Sequence, residues 1–154
     1  MRALPMVGGM RATVLRALSR SDLFEGLSEL QLDQVADRAE LLQLASGEAV
    51  VMQGDASQSF FVVLNGVARV IVASGTEAAE VSRLGPSDTV GEQGLLLGTP
   101  RTATVLAEGP LLVLRFDDVV FDAMFQKIPG FGMAICRALA RRLADATSKI
   151  AQGR

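Results

Sequence analysis

The sequence predicts a mainly β domain with flanking helices. Two observations support this fold class: between about Leu41 and Arg115, short segments rich in Val, Leu and Phe alternate with Gly-containing breaks, and the segments on either side have a helical spacing of apolar residues. The chain has 154 residues, which fits one domain of ordinary size or one domain with a small helical appendage. We therefore expect a small sandwich or roll of strands between helices.

Two short helices are predicted ahead of the strands. Ala12 to Leu18 have the spacing of a short amphipathic helix, and Ser28-Glu29-Leu30-Gln31 matches a capping box. In a capping box the first and last side chains each accept a hydrogen bond from the other residue's backbone N–H, which favours a helix start. The second helix then has an apolar face made of Leu32, Val35, Ala36 and Ala39.

Five breaks divide the β region. They fall at Ser46-Gly47, Gly54-Asp55, Asn65-Gly66, Ser74-Gly75 and Gly85-Pro86, and each is typical of a turn. The clearest is Asn65-Gly66, which lies between the apolar segments Phe60 to Leu64 and Val67 to Val72. Because both of its residues accept a positive φ, this pair predicts a two-residue β-hairpin.

One segment within the β region does not have a strand pattern. Between Gly91 and Arg101, a run of Leu fits one or two helical turns and is followed by Pro-Arg. A helix that begins near Gly91 would point unpaired backbone N–H groups outward, where an anionic oxygen can accept them. Gly91 and Gly94 leave room for a ligand to approach. Arg101 adds a fork of donors and Glu92 an acceptor for hydroxyls. On pattern alone, a surface loop with a solvated Arg remains the alternative.

The last part of the chain is predicted to be helical again. Phe116-Asp117-Asp118 has the pattern of a helix start, and Pro129-Gly130 that of a break. After the break, an apolar stripe recurs at spacings of three and four residues, through Ile135, Leu139, Leu143, Ala146 and Ile150. Either this stripe packs on the roll of its own chain or it pairs with the same helix of another subunit.

Composition excludes several classes of function. The absence of His rules out Ser-His-Asp hydrolysis, Cys-His nucleophiles and His-bearing metal sites. The single Cys136 forms neither an internal disulfide nor a thiolate metal cage, and we expect it to be a small buried residue. The formal net charge of −2 is opposite in sign to that of a nucleic-acid binder. No apolar run approaches the roughly 20 residues that span a bilayer. We therefore expect a cytoplasmic protein that binds no nucleic acid and inserts into no membrane.

The order and spacing of several motifs resemble the cyclic nucleotide-binding domain family. These motifs are Gly47-Glu48, Gln53-Gly54-Asp55, Phe60 to Gly66, Val90-Gly91-Glu92 and Pro100 to Val105. The similarity extends from about Leu23 to Thr147, which is nearly the whole chain. It is specific, because three glycines of the roll and a phosphate-binding cassette occur together.

The resemblance implies an eight-stranded, jelly-roll-like β-roll, or double-stranded β-helix, with N-terminal helices and a C-terminal lid helix. It divides the chain into an N-terminal helical extension, residues 1–22, and a cyclic nucleotide-binding domain, residues 23–151, whose C-terminal helices start at about residue 117. The implied ligand is cAMP or cGMP, bound in the roll. No cofactor and no metal is expected.

The family's ligand-binding residues correspond to Gly91, Glu92, Gln93, Gly94, Arg101 and Thr102. By this resemblance, Glu92 accepts the ribose 2′-hydroxyl and Arg101 meets the cyclic phosphate. The backbone N–H groups of Gly94 and Thr102 complete the phosphate cradle.

Three of these positions depart from the usual family pattern. Gln93 and Gly94 stand where the family usually has an apolar residue and Ala, but the contacts expected there come from the backbone. Thr102 replaces the Ala of many cAMP binders. A hydroxyl there is associated with cGMP recognition and also occurs in domains that respond to cAMP. A single hydrogen bond from Thr102 discriminates only modestly between the two nucleotides, so it does not decide for cGMP, and we expect cAMP.

The expected function is that of a cyclic nucleotide sensor or regulatory domain, and not that of an enzyme. Ligand closes the cassette, and the terminal helix from about Gly130 to Ala151 repacks over the base as a lid, with Arg137 and Arg141 as candidate lid residues. The alternative is a degenerate β-roll that no longer binds nucleotide and acts as a protein-interaction scaffold.

The output of the domain is left open by the sequence. No helix-turn-helix or other output domain is recognised, so we expect either a free-standing sensor or a regulatory domain cut from a longer protein. Its partner would be a second copy, paired through the C-terminal helix, or an effector protein or domain.

Overall fold

The computed structural model describes residues 1–152, and its centre is a seven-stranded antiparallel sheet. The strands are β1 (Arg2–Leu4), β2 (Glu40–Leu44), β3 (Ala49–Val51), β4 (Ser59–Ser74), β5 (Glu77–Leu84), β6 (Thr89–Val90) and β7 (Thr104–Asp117). Their order is β1-β2-β7-β4-β5, while β3 also pairs with β7 and β6 with β4. The two longest strands, β4 and β7, therefore form the centre of the roll.

Within residues 1–152, two α-helices lie between β1 and β2, one lies between β6 and β7, and two follow β7. They are α1 (Gly8–Arg20), α2 (Glu29–Asp37), α3 (Glu92–Leu97), α4 (Asp118–Lys127) and α5 (Phe131–Gln152), and a single 3-10 turn (Asp22–Phe24) links α1 to α2. The fold class, a mainly β roll with N-terminal helices and a C-terminal helix, is thus confirmed. The capping box is confirmed as well, because the Gln31 backbone N–H donates to Ser28 Oγ at 3.2 Å and the Ser28 N–H donates to Gln31 Oε1 at 3.0 Å.

The predicted hairpin at Asn65-Gly66 is wrong. These residues lie within β4, which continues through them as one strand with a shift of register, so that Val63 pairs with Val113 and Val67 with Glu108. Gly66 has a φ of +99°, and a Cβ there would lie 2.5 Å from the Pro110 carbonyl oxygen. The positive φ that the sequence indicated therefore serves a bulge opposite β7 and not a chain reversal.

The continuity of β4 also changes the number of strands. The resemblance implies eight strands, whereas the sheet formed by residues 1–152 has seven. The four other predicted breaks do fall between strands. Gly47 separates β2 from β3, Gly54 separates β3 from β4, Gly75 separates β4 from β5, and Gly85-Pro86 separates β5 from β6.

An aromatic cluster joins the helices to the roll. Phe60 of β4 and Phe116 of β7 stack with ring centroids 4.7 Å apart, and Phe24 of the 3-10 turn stacks on Phe131 of α5 at 5.7 Å. All four side chains are at most 1% exposed. The buried face of α1, with Val14, Ala17 and Leu18, belongs to the same cluster. The boundary predicted between residues 22 and 23 stays a prediction.

The apolar stripe of α5 has two halves with different surroundings. Ile135 is 2% exposed within the aromatic cluster, but Leu143 and Ile150 are 70% and 66% exposed. The first half of the stripe thus packs on its own chain, and the second half faces outward. Cys136 is exposed, so the expectation that it is buried is wrong. It follows Ile135 by one residue, a rotation of about 100° around the helix, which turns it away from the buried residues Ala134, Ile135 and Ala138.

Within residues 1–152, no single helix is both long and apolar enough to cross a membrane. Helices α4 and α5 meet at an angle of 110° and satisfy the length and composition criteria only when they are taken together.

Candidate functional site

A cavity of about 320 Å³ opens on the face of the roll beside α3. All six predicted ligand-binding residues line it: Gly91, Glu92, Gln93, Gly94, Arg101 and Thr102. Its remaining wall is largely apolar and is contributed by the strands through Val51, Val70, Leu84, Val90 and Val105. The structure therefore brings the predicted site residues together around one hollow, with a polar side made by the segment from Gly91 to Thr102.

The segment from Gly91 to Thr102, here called the cassette, begins where a very short strand ends. Gly91 is the N-cap of α3 and has a φ of +86°, a left-handed conformation that L side chains rarely adopt. A Cβ at Gly91 would overlap Arg101 Nη1 and lie 3.0 Å from Arg101 Cζ. Glycine at this position therefore does two things: it permits the turn into α3, and it lets the Arg101 guanidinium lie directly against the backbone.

Arg101 is buried, with 8% of its surface exposed, and its side-chain hydrogen bonds go to neutral oxygen atoms. Nη1 donates to the Gly91 carbonyl oxygen at 3.1 Å, and Nη2 donates to that of Ser59 at 2.6 Å. Burial lowers the pKa of the guanidinium, and the nearby carboxylates of Asp55 and Glu92 partly offset this effect. Among residues 1–152, this buried cation has no direct carboxylate partner.

The backbone of Arg101 is fixed by the loop that precedes β4. Its N–H donates to the Asp55 carbonyl oxygen at 2.8 Å, and its carbonyl oxygen accepts from the Gly54 N–H at 2.9 Å. The Gly54-Asp55 break that the sequence indicated therefore holds the C-terminal part of the cassette through backbone hydrogen bonds. This pairing explains why a loop 46 positions earlier in the chain belongs to the same local motif.

The backbone of α3 faces the cavity at its N-terminal end. The first N–H groups of any α-helix lack intrahelical acceptors, and here they belong to Glu92, Gln93 and Gly94. A Cβ at Gly94 would overlap Ser57 Oγ, which donates to the Thr99 carbonyl oxygen at 2.6 Å. Glycine at this position, where the family pattern has Ala, is therefore accounted for by the serine that packs against it. The side chains of Gln93 and Thr102 are exposed at the cavity rim.

Glu92 is the second charged side chain in the wall, and it is 5% exposed. Its Oε1 accepts a hydrogen bond from Arg142 Nη1 of α5. Arg142 Nη2 also donates to Thr89 Oγ1 at 3.1 Å, and its Nε and Nη2 donate to the two carboxylate oxygens of Asp22. Hydrogen bonding to Asp22 is the largest of the effects that raise the pKa of Arg142. A buried carboxylate and an inter-element cation thus form one network at the edge of the cavity.

The two lid candidates do not reach this network. Arg137 is exposed, and Arg141 forms an ion pair with Glu25 at the surface. Arg142, which follows Arg141 directly, is the α5 residue that contacts a predicted ligand-binding side chain. In the sequence, Arg142 is one of four cations on the helix, and its spacing separates it from Arg137 and Arg141, because it lies three residues after Leu139 and seven after Ile135. This spacing is the signal that could have found Arg142, and the packing of that face of α5 brings it to Glu92.

Among residues 1–152 there is no group of three or more His, Cys, Asp or Glu side chains that could hold a metal ion. The arrangement at the cavity can bind an anion at Arg101 and a hydroxyl group at Glu92, and it offers apolar strand surface to a flat ring system.

Comparison with known protein families matches the region of the roll and its cassette to one family. The sequence profile of the cyclic nucleotide-binding domain matches residues 41–128, more than half of the chain. The chain therefore belongs to the cyclic nucleotide-binding domain family.

Relatives of known identity support this membership. The regulatory subunit, type I-alpha, of cAMP-dependent protein kinase from Mesocricetus auratus is 41% identical over 86 residues, which make up 54% of this chain and 50% of the relative. The chain thus spans about half the length of this curated relative.

Solved structures share the fold. The catabolite activator protein of Thermus thermophilus superposes with a TM-score of 0.78 and 26% identity, over 86% of this chain and 62% of that one. The regulatory domain of PKA from Toxoplasma gondii, crystallised with cAMP, superposes with a TM-score of 0.72 and 26% identity, over 76% of this chain and 45% of that one. The β-roll expected from the sequence is therefore the fold of established members of the family.

Proposed function

We propose that this chain is a cAMP sensor or regulatory domain in which ligand binding at the cassette is coupled to the packing of α5. The observation that carries the proposal is the convergence of Glu92, Arg101 and the start of α3 on one hollow of about 320 Å³. That volume lies within the range of about 300 to 1,000 Å³ typical of small-molecule sites. The proposed role is binding and not catalysis.

The charge of Arg101 supports a phosphate ligand. Burial disfavours the positive charge of the guanidinium. The two carbonyl oxygens that accept its hydrogen bonds carry only partial charge and do not neutralise it. An anionic phosphate in the cavity supplies the missing counter-charge. Backbone N–H groups of Gly94 and Thr102 then accompany Arg101 as neutral donors. A cyclic monophosphate, with its single negative charge, matches one guanidinium.

Glu92 and the apolar wall support the rest of the nucleotide. Oε1 of Glu92 is engaged by Arg142, and the carboxylate has a second oxygen with which to accept the ribose 2′-hydroxyl. The base would lie on the strand surface formed by Val51, Val70 and Leu84. Gln93, Gly94 and Thr102 would act through their backbone, so the departures from the usual side chains leave the proposed contacts in place.

The proposal of cAMP rather than cGMP is supported by the ligands named for the relatives, and the contribution that Thr102 could make to cGMP binding is small. The curated relative is a subunit of a cAMP-dependent kinase, and the Toxoplasma gondii domain was crystallised with cAMP. The Thr102 hydroxyl supplies at most one additional hydrogen bond to a guanine base, worth about 0.5 to 1.5 kcal/mol.

Coupling to α5 is proposed through Glu92 and Arg142. These two side chains join the cassette to the helix that was expected to act as a lid, so a ligand that contacts Glu92 also acts on α5. Arg137 and Arg141 remain predicted lid residues only for a rearranged α5. The outward half of the helix, with Leu143 and Ile150, is the surface proposed for a second copy or an effector protein. A cytoplasmic location stays a prediction.

The test is calorimetric titration of the chain with cAMP, cGMP and 5′-AMP. We expect saturable binding of cAMP, weaker binding of cGMP, and little binding of 5′-AMP, whose open, doubly charged phosphate does not match the site. Amide hydrogen exchange of α5 with and without cAMP reports the coupling, and we expect altered protection in Phe131–Gln152.

Each proposed element has its own contrary outcome. No heat with either cyclic nucleotide would favour the interaction scaffold over the sensor. If cAMP binds but amide hydrogen exchange in α5 is unchanged, the proposed ligand stands and the proposed coupling to α5 is wrong. Conversion of cAMP to AMP during prolonged incubation would contradict a role in binding alone.

A further inference from the structure

The side chain of Arg142 is held from outside the roll. Its Nε donates to Asp22 Oδ2 at 3.0 Å and its Nη2 donates to Asp22 Oδ1 at 2.7 Å, so that both carboxylate oxygens grip one edge of the guanidinium. Asp22 is the first residue of the 3-10 turn between α1 and α2. A residue of the N-terminal segment thus fixes an arginine of the C-terminal helix.

This grip determines where the rest of the guanidinium points. The group is planar and rigid, so fixing Nε and Nη2 also fixes the direction of Nη1. Nη1 is the atom that donates to Glu92. Glu92 is almost fully buried, whereas the side chains of Arg142 and Asp22 are 33% and 43% exposed. The orientation of the buried carboxylate therefore depends on a partly exposed pair.

A neighbouring ion pair shows that the turn and the helix have other contacts. Glu25, three residues after Asp22, pairs with Arg141, the residue before Arg142. The Phe24 ring stacks on Phe131 with centroids 5.7 Å apart. Because these contacts join the same two elements without touching Glu92, packing of the turn on α5 does not require the Asp22 carboxylate.

We propose that Asp22 is a positioning residue for nucleotide binding, which acts through Arg142 to orient Glu92 toward the ribose of the ligand. The inference rests on the proposed function and extends it to a residue outside the cassette. It makes the 3-10 turn a part of the binding device. Any partner that moves this turn would change the affinity for the nucleotide.

The experiment compares Asp22→Asn with Glu25→Gln in the full chain. Each variant replaces a carboxylate of the same turn by its amide, but only the first one loses the charged grip on Arg142. We expect the dissociation constant for cAMP to rise about three- to tenfold in Asp22→Asn, the effect of one weakened charge-assisted contact, and to stay within about twofold in Glu25→Gln. Thermal unfolding of both variants checks that they are folded.

Two further comparisons separate positioning from general destabilisation. The first repeats Asp22→Asn in an Arg142→Gln background, where we expect no additional loss because the intermediary is gone. The second uses 2′-deoxy-cAMP, which lacks the hydroxyl proposed to meet Glu92. We expect Asp22→Asn to weaken cAMP more than 2′-deoxy-cAMP, whereas a loosened fold would weaken both ligands equally.

The outcomes distinguish the two proposals. If the unchanged chain binds no cyclic nucleotide, the proposed function fails and the role of Asp22 fails with it. If the chain binds cAMP and Asp22→Asn binds equally well, the role of Asp22 alone is overturned. Tighter binding by Asp22→Asn also overturns it, because Arg142 would then compete with the ligand. An equal loss of affinity when Asp22→Asn is made in the Arg142→Gln background also overturns the role, because Arg142 would then not be the intermediary.

Discussion

The candidate site contains two arginines in opposite electrostatic surroundings. Arg101 lies in the cassette, is 8% exposed, and donates to the carbonyl oxygens of Gly91 and Ser59. Arg142 lies on α5, has a side chain 33% exposed, and donates to the carboxylates of Asp22 and Glu92. The pKa of Arg101 is lowered, chiefly by burial, and that of Arg142 is raised, chiefly by its hydrogen bonds with Asp22.

This difference in surroundings indicates different roles for the two arginines: Arg101 is available to bind a ligand, whereas Arg142 links parts of the fold. The charge of Arg142 is already neutralised by two carboxylates, so that side chain joins structural elements. The charge of Arg101 is oriented by neutral oxygens and remains available to an anion. Burial of a cation in this manner costs stability, and a ligand that neutralises it regains that cost on binding. Three substitutions break or sharpen this comparison.

The largest expected effect comes from Arg101→Ala. Removing the guanidinium leaves the phosphate without a counter-charge, so we expect a loss of about 2 to 5 kcal/mol in binding, or a factor of tens to thousands in the dissociation constant for cAMP. Calorimetric titration measures this change. Arg101→Lys is the control, because it retains the charge but not the fork, and we expect intermediate affinity. An Arg101→Ala variant with unchanged affinity would remove Arg101 from the site.

Gly91→Ala should have the next largest effect. Its Cβ would collide with Arg101 Nη1, and the φ of +86° strains any L residue by about 1 to 2 kcal/mol. We expect both a lower melting temperature and an affinity for cAMP reduced at least about tenfold by the displaced guanidinium, close to one lost charge-assisted contact.

Gly98→Ala is the matched control for Gly91→Ala. Gly98 ends α3, also has a positive φ of +68°, and has open space where a Cβ would be placed. It should lose similar stability and keep its affinity for cAMP. Equal losses of affinity in the two variants would mean that backbone strain, and not contact with Arg101, weakens binding.

The smallest effect is expected for Arg142→Gln. Glu92 then keeps its burial but loses its cationic partner, and we expect about 1 kcal/mol of stability and severalfold affinity for cAMP to be lost. Arg137→Gln and Arg141→Gln, which remove cations from the same helix without touching Glu92, should leave both quantities unchanged. An affinity that falls more in Arg141→Gln than in Arg142→Gln would return the lid role to the residue first predicted.

Local patterns predicted the cassette and failed at the strand beside it. Gly91, Glu92 and Arg101 lie within eleven residues of one another, so a short turn and a short helix keep them near one another, and the family resemblance identified them as site residues. Asn65-Gly66 carries an equally clear local signal, yet it lies in the middle of β4. The hairpin was wrong because β7, more than forty positions later, pairs with both halves of β4 and favours a bulge over a reversal.

The last helix shows the same limit for a site residue. Its apolar stripe predicted the helix and its buried face at Ile135, and the same spacing places Arg142, but neither Arg137 nor Arg141, beside the stripe without naming its partner. Which partner it meets depends on the packing of α5 on the rest of the chain, where Phe131 stacks on Phe24, Arg142 pairs with Glu92 and Arg141 pairs with Glu25. Residues fifty positions apart meet through that packing alone.

By itself, the sequence determined the fold class and the capping box of α2, because periodicity and caps are local patterns, and its resemblance to the family indicated six of the residues that line the cavity. The tertiary structure alone decided that β4 is continuous, that Arg142 reaches the site and that Asp22 holds it. These features arise where distant elements pack, and the free energy of that packing overrides what any single segment prefers.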